Sequence, residues 1–392
     1  MTDPTDDAVA RFEALLGPQG QEVLRHLAQQ GAAADSLRLG TELRARYPVP
    51  LVVDALGQHE LRTAARAKFS RAPQMYFTRP GWEQASAEVV AQHRAGRYRD
   101  AGRVADLCCG IGGDLVALAA NSPVLAVDRD PLHLRMAREN AAVHGVAEHV
   151  TTLAADVRDV DLAGVDAVFV DPARRSARGR LRTGDSEPPL AWCTGLVGRV
   201  ERVGVKCAPG LAHHAVPRGW ELEFVAVGRD LKEATAWSPA LATAPTRATL
   251  LPAGHTLVAD GGGPGEVRMP GEFLLDPNPA VTRAGVVEDL ARQVAAWKID
   301  ERIAFLSTDT AVDTPFARTL RVIDSAPWNE KQLRKRLRAL DIGAVDIRRR
   351  GLAGDVDQLH RRLGLSGSRR ATLVMTRVSN RPWALICVDV AG

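Results

Sequence analysis

VADLCCGIGGDL, residues 104–115, is the stretch whose reading decides the fold. Its apolar start reads as a short strand, its glycines as a tight turn, and the LVALAA that follows as a helix. Strand, glycine turn and helix in that order bring backbone amides toward a ligand at the helix N-terminus. The spacing narrows the choice of ligand. A dinucleotide fingerprint starting at Gly110 and Gly112 needs a small residue at 115, where Leu115 stands. A phosphate loop needs Gly-Lys-Ser/Thr, and no such triplet follows. What remains is Asp106-x-x-x-Gly110-x-Gly112, with an acid ahead of the first glycine.

From residue 101 onward the pattern alternates strand and helix, as βαβ units around a parallel sheet do. VLAV at 124–127 is a second strand, ending on Asp128, and a helix with Pro131 in its first turn and Gly145 at its end follows. Asp128 lies 18 residues beyond Gly110. An acid near that distance, at a strand's carboxyl end, accepts the hydroxyl protons of a ribose. A third strand over 150–154 ends near Asp156, placed to accept a hydrogen bond from an adenine amine. Asp159 and Asp161 are close by, so a solvated loop acid is the alternative reading there. AVFV at 167–170 runs straight into Asp171-Pro172-Ala173-Arg174-Arg175. Ligands of parallel sheets bind beyond the carboxyl ends of strands, and Asp106, Asp128, Asp156 and Asp171 all fall there. Two further strands are expected at 202–207 and 221–227.

The chain has 392 residues, 45% hydrophobic and 25% charged, ordinary for a globular protein of two or three domains. The acidic start MTDPTDD is unlike a secretory leader, and no apolar run reaches membrane-spanning length. Five cysteines without framework or metal-ligand spacing point to free thiols, a cytoplasmic location and no metal. Residues 1–72 read as helices, most simply a packing cap or oligomerisation surface. Met75, Tyr76 and Phe77, beside Thr78, either cover a ligand or belong to the core, and core is the commoner fate of such a cluster.

Residues 252–265 are rich in Gly and Pro and read as a linker or a long hairpin loop. FLLDPNP at 273–279 opens a new unit, with a helix expected over 280–298 and a strand over 302–306. Asn329 then caps a helix with Leu333, Leu337 and Leu340 on one face and Lys331, Arg334, Lys335 and Arg338 elsewhere. A strand reaches Arg348-Arg349-Arg350, Asp355 opens a second helix, and a hairpin around Ser379-Asn380 closes an α-β-α-β-β order. From Arg318 to the end there are 16 Lys/Arg against 7 Asp/Glu, a surplus of 9; with +4 in all, the first 317 residues carry −5. A basic end on a mildly acidic body suggests an anionic partner there.

Together these residues resemble the bacterial class I S-adenosylmethionine-dependent methyltransferases with a C-terminal THUMP-like domain. The matching segments are Phe77-Thr78 with Glu83-Gln84-Ala85-Ser86, DLCCGIGGD, DPARR, DPNPAVTRAG from Asp276, and the basic KQLRKRLR and IRRRG tail. Trp82 departs from the pattern, where an aliphatic residue is expected. The resemblance implies an α/β fold. A helical N-terminal region (1–80) would precede a Rossmann-like methyltransferase domain (81–260), a small ferredoxin-like unit (266–316) and a THUMP-like basic domain (318–392). It implies S-adenosyl-L-methionine as cofactor, held by Asp106, Cys109, Gly110, Gly112, Asp128 and Asp156. The methyl acceptor is expected at Asp171, Pro172, Ala173 and Arg174. Phe77, Thr78, Arg175, Lys331, Arg334, Arg348, Arg349 and Arg350 are candidate substrate contacts.

Methyl transfer from a sulfonium chiefly requires in-line positioning of the nucleophile. In amine methylases the fourth-strand motif is Asp or Asn, two prolines and an aromatic; here Ala173 and Arg174 replace the last two. Asp171 is therefore expected to orient the acceptor, with an arginine on a phosphate. Cys207 is the one well-placed thiol for addition to a pyrimidine, although a cysteine in an apolar strand is more often a small buried residue. The reading is a methyltransferase acting on RNA, a tRNA or rRNA base, presented by the basic domain. The competing readings are a silent RNA-binding protein with a methyltransferase fold, and a methylase of protein or small molecules.

Overall fold

A computed structural model describes residues 4–30, 36–173, 175–176, 179–180 and 186–390. The chain forms two compact units. The first comprises Met1–Trp220 with Ala234–Thr243, the second Glu221–Glu233 with Ala244–Gly392.

In the first unit, helices α1 (Pro4–Leu16), α2 (Pro18–Gln30), α3 (Ser36–Arg44) and α4 (Val49–Ala65) lead. They bury Phe12, Leu15, Val23, Leu27 and Val52 with Met75, Tyr76 and Phe77, and the cluster reaches Ile111 and Met136. The N-terminal helices thus pack behind the glycine turn, as a packing cap. Thr78 caps α5 (Arg79–Gln84) by accepting from Gly81 N at 3.0 Å, and α6 (Glu88–Ala95) follows.

Four parallel strands come next: β1 (Val104–Leu107), β2 (Val124–Asp128), β3 (Val150–Ala154) and β4 (Ala167–Val170). Helices α7 (Leu115–Ala119) and α8 (Pro131–Val143) connect them. After α9 (Leu190–Gly195) comes β5 (Arg202–Cys207). The order is β5-β4-β1-β2-β3, and an antiparallel strand ending at Trp237 flanks β5. All four residues of β1 and of β4 are buried, which is why those runs are continuously apolar apart from Asp106.

In the second unit β6 (Glu221–Val227) runs parallel to β7 (Thr246–Leu251), which turns into β8 (His255–Val258). The stretch expected as a linker or long hairpin loop therefore contains a hairpin strand. A seven-stranded sheet follows, built from β9 (Phe273–Pro277), β10 (Trp297–Lys298), β11 (Leu306–Thr308), β12 (Ala317–Pro327), β13 (Ile342–Arg349), β14 (Arg369–Val378) and β15 (Arg381–Asp389). Its order is β10-β11-β9-β12-β15-β14-β13. Strands on either side of residue 317 share this sheet, because β9 pairs with β12 through Phe273↔Arg321 to Pro277↔Ala317. The single helix expected over 280–298 is two, α10 (Pro279–Ala284) and α11 (Val287–Gln293), parted at Gly285 with φ 72°. The strand expected over 302–306 begins at Leu306 instead. Helices α12 (Glu330–Ala339) and α13 (Val356–Leu363) lay Leu333, Leu337, Leu359 and Leu363 on Leu373, Met375 and Ile386.

Candidate cofactor and acceptor site

Asp106 stands in the middle of β1, wholly buried, and neither carboxylate oxygen has a hydrogen-bond partner among the described residues. Burial pushes its pKa up to about 8, helped by the charges of Asp171 and Asp128 and opposed by Arg94 and Lys206. Those groups therefore share one electrostatic neighbourhood. The turn that follows is tightly specified. Cys108, Gly110 and Gly112 have φ of 62°, 53° and 86°, and Cys109 N donates to the Val127 carbonyl at 3.1 Å. A Cβ on Gly112 would meet Ala137 Cα at 3.2 Å, so α8 is packed against the turn backbone. At Gly110 a Cβ would meet nothing within 4 Å, which makes its surroundings open space.

Asp128 ends β2 and is locked in place. Its Oδ2 accepts from Gly110 N at 2.8 Å and its Oδ1 from Asp130 N at 2.9 Å. A carboxylate has about four acceptor positions, so two remain for a ligand's hydroxyls. Asp156, just past β3, accepts from Arg158 N at 2.9 Å and is half-exposed. Arg158 in turn pairs with Glu187. Asp171 sits at the end of β4 with its amide donating to the Leu107 carbonyl at 3.1 Å, and Pro172 behind it is buried. Ala173 is pinned by a two-way backbone bridge to Glu187, at 2.8 and 2.9 Å. Arg174 and the Arg175 side chain lie outside the described residues.

The residue that sequence reasoning missed is Lys206. Parallel pairing of Val170 with Val205 sets Asp171 and Lys206 side by side, and Lys206 Nζ lies 2.6 Å from Asp171 Oδ2. Nothing in the local sequence VGVKC flags this, because the partners are 35 positions apart. A second unforeseen pair, Arg94 with Asp114, lies buried beneath the turn, with Arg94 stacked 4.5 Å from the Phe169 ring centroid.

Phe77 follows the core reading of its cluster. It is 1% exposed and packs on Phe69 at 5.7 Å, a core ring with no open face. Thr78 is spent on its helix cap and on a 2.9 Å hydrogen bond with His133. Cys207 is buried, in line with the structural reading of that thiol. The Arg348-Arg349-Arg350 run is not a uniform basic surface. Arg350 bonds Asp276 at 3.0 Å and the Ala304 carbonyl at 3.0 Å, Arg348 pairs with Asp346 at 3.0 Å, and Arg349 bonds the Gly354 carbonyl. Arg334 bonds the Arg362 carbonyl. Lys331 is exposed on α12, as are Lys335 and Arg338, and these three have no ion-pair partner among the described residues.

Comparison with known proteins gives the site its setting. An uncharacterized S-adenosylmethionine-dependent methyltransferase of Mycobacterium tuberculosis (strain H37Rv) is 40% identical over 315 residues, covering 78% of this chain and 85% of that protein. The chain belongs to the S-adenosylmethionine-dependent methyltransferases. Its counterpart in M. tuberculosis strain CDC 1551 matches equally. Residues 317–388 of this methyltransferase match the family described as THUMP domain-like, and 101–183 match that of RNA cap guanine-N2 methyltransferases. Residues 7–65 match a domain of unknown function. A crystal structure of a Porphyromonas gingivalis W83 protein named as a methyltransferase shares the fold, with a TM-score of 0.76, 19% identity and full coverage of both chains. S-adenosylmethionine is therefore the cofactor. The unpartnered Asp106 oxygens, the spare acceptor positions of Asp128 and the open space at Gly110 fit a cationic ligand rich in hydroxyl and amine donors. Among the described residues no helix is long and apolar enough to cross a membrane.

Proposed function

We propose that this methyltransferase modifies RNA, with the THUMP-like domain binding the tRNA or rRNA whose base is methylated. Bound S-adenosylmethionine supplies an activated methyl group, so the chain's own task is to hold, orient and desolvate. Asp128 takes the ribose hydroxyls, Asp156 the adenine amine, and Asp106, with Cys109, Gly110 and Gly112, the remainder of the cofactor. Asp171, followed by Pro172 and Ala173, orients the acceptor, and Arg174 or Arg175 meets a phosphate.

The observation that carries the RNA reading is the charge of the C-terminal segment. A surplus of 9 positive charges is concentrated beyond residue 317, in the segment that matches the THUMP-like family. Lys331, Lys335 and Arg338 leave a cationic stripe on α12 for phosphates, which makes them stronger candidates than the occupied Arg348, Arg349 and Arg350. Thiols that form no disulfide among the described residues, four of the five buried, suit a cytoplasmic enzyme.

The deciding experiment incubates the full chain with tritiated S-adenosylmethionine and total cellular RNA or protein. Label in RNA supports the reading. Label in protein alone overturns it, and cofactor binding without any transfer favours a silent RNA-binding protein.

A further inference from the structure

The ion pair between Lys206 and Asp171 bears on which atom receives the methyl group. Lys206 Nζ is 2.6 Å from Asp171 Oδ2 and 3.2 Å from the Gln84 carbonyl. The lysine side chain is 5% exposed and that of Asp171 26%, so the ammonium is sealed below a carboxylate that still faces outward. Burying an ammonium is costly, and a well-packed apolar residue at 206 would serve folding as well or better. A charge kept at the ligand-binding end of a parallel sheet is a mark of a working site.

The pair restricts the chemistry in two ways. Oδ2 is engaged by the ammonium, which leaves the outward oxygen as the better acceptor for one hydrogen of the incoming group. The ammonium also offsets the charge of Asp171, so the pair gives little support to an acceptor that gains positive charge on methylation, as an amine does. It favours an acceptor that sheds a proton and builds negative charge as it attacks.

We propose that Lys206 is a positioning residue that restricts this methyltransferase to acceptors bearing a weakly acidic N–H or O–H. This rests on the methyltransferase reading of the Asp171 pocket. In RNA that chemistry has two sources, the ring N–H of guanine or uracil and the ribose hydroxyl. The acceptor's lone pair forms the new bond to the methyl carbon, and the carbon–sulfur bond breaks with its electron pair left on sulfur. The acceptor's proton passes to the free oxygen of Asp171 and then to solvent. A sulfonium cation, a neutral acceptor and a carboxylate become a thioether, a methylated acceptor and a carboxylic acid, so charge balances.

The test labels RNA, protein and small-molecule fractions with the full chain and isotopic S-adenosylmethionine, then locates the methyl group by mass spectrometry. Methyl on guanine N1 or uracil N3 identifies the base source, and methyl on a ribose oxygen the sugar source; either supports the proposal. Methyl on an exocyclic amine, on N7 or on a pyrimidine carbon overturns it. If only protein or a small molecule is labelled, the RNA reading falls and the atom methylated there judges Lys206 by the same criterion. No label in any fraction overturns both. Lys206→Met should keep S-adenosylhomocysteine affinity by calorimetry, which controls for folding. It should lose about 10²-fold in kcat near neutrality with little change in KM, recover as pH rises and the acceptor ionises unaided, and be largely rescued as Lys206→Arg. A loss equal at every pH and not rescued by arginine would mark the lysine as structural and sink the idea.

Discussion

Asp106 and Asp128 are both acids on strands of one sheet, yet their surroundings separate their behaviour. Burial and neighbouring acids hold the Asp106 pKa near 8, well above the ordinary 3.8. The native protein therefore keeps a proton that the unfolded chain gives up, and between these two values stability falls as pH rises. Ligand-free protein is expected to be more stable to urea at pH 5.5 than at pH 8 on this account. Asp106→Asn should flatten that part of the slope; an unchanged slope would assign it to other groups. Asp128, by contrast, is already hydrogen-bonded by two backbone amides, and Asp128→Ala removes the turn's anchor together with the ribose acceptor proposed above. Loss of about 10-fold to 100-fold in S-adenosylhomocysteine affinity is expected by calorimetry, at about 1.5–3 kcal/mol for hydrogen bonds to a charged group. Asp128 was legible because it ends its strand, whereas Asp106 lies inside β1 rather than beyond its end. Lys206 was not legible, because its meaning depends on the register between β4 and β5.

At the scale of elements, capping chemistry could be read directly at Asn329 and Asp355, and the structure adds Asp130 and Asn278. Asp130, Asn278, Asn329 and Asp355 each accept from a backbone amide in the first turn of their helices. Packing constraints were less visible. Gly204, in the middle of β5, looks in sequence like a weak point in a strand. A Cβ there would fall 2.2 Å from Tyr98 Oη and 2.7 Å from the Trp237 ring. Tyr98 is itself held by a 3.1 Å hydrogen bond to the Val168 carbonyl, so it has little room to yield. Gly204→Val is expected to destabilise by about 1–3 kcal/mol or more through overpacking, read as a lowered urea midpoint. A neutral result would mean that the tyrosine and tryptophan shift together. The split of the helix expected over 280–298 is likewise a local decision, taken by Gly285 in a left-handed conformation.

For the whole molecule, the distribution of charge was plain from composition, but its use was not. Asp276, 5% exposed at its side chain, is held by Arg350 at 3.0 Å and by Arg229 at 2.8 Å. Arg350→Ala should therefore lower stability by about 1–3 kcal/mol, since one buried carboxylate loses half its compensation. RNA affinity per folded molecule should stay nearly unchanged. Lys331→Ala with Lys335→Ala should leave stability alone and weaken RNA binding, with a salt slope reduced by about 2 in filter-binding titrations. Equal effects from the two sets would argue against the α12 stripe.

Periodicity, glycine spacing and the acids near successive strand ends determined, from the sequence alone, a parallel α/β sheet with a ligand site at its carboxyl edge, and the resemblance those motifs carry pointed to the methyltransferases and their cofactor. These signals are local: a strand, a turn and the residue that follows lie within a few positions of one another. What only the tertiary structure decided is which of the many charges are free. It turned Phe77 into core and Arg350 into a strut for Asp276, it left Asp106 without a partner, and it set Lys206 against Asp171. Each outcome depends on contacts between distant segments. The physical reason is that side-chain pairing and burial follow sheet register and helix packing, which no local pattern of residue types encodes.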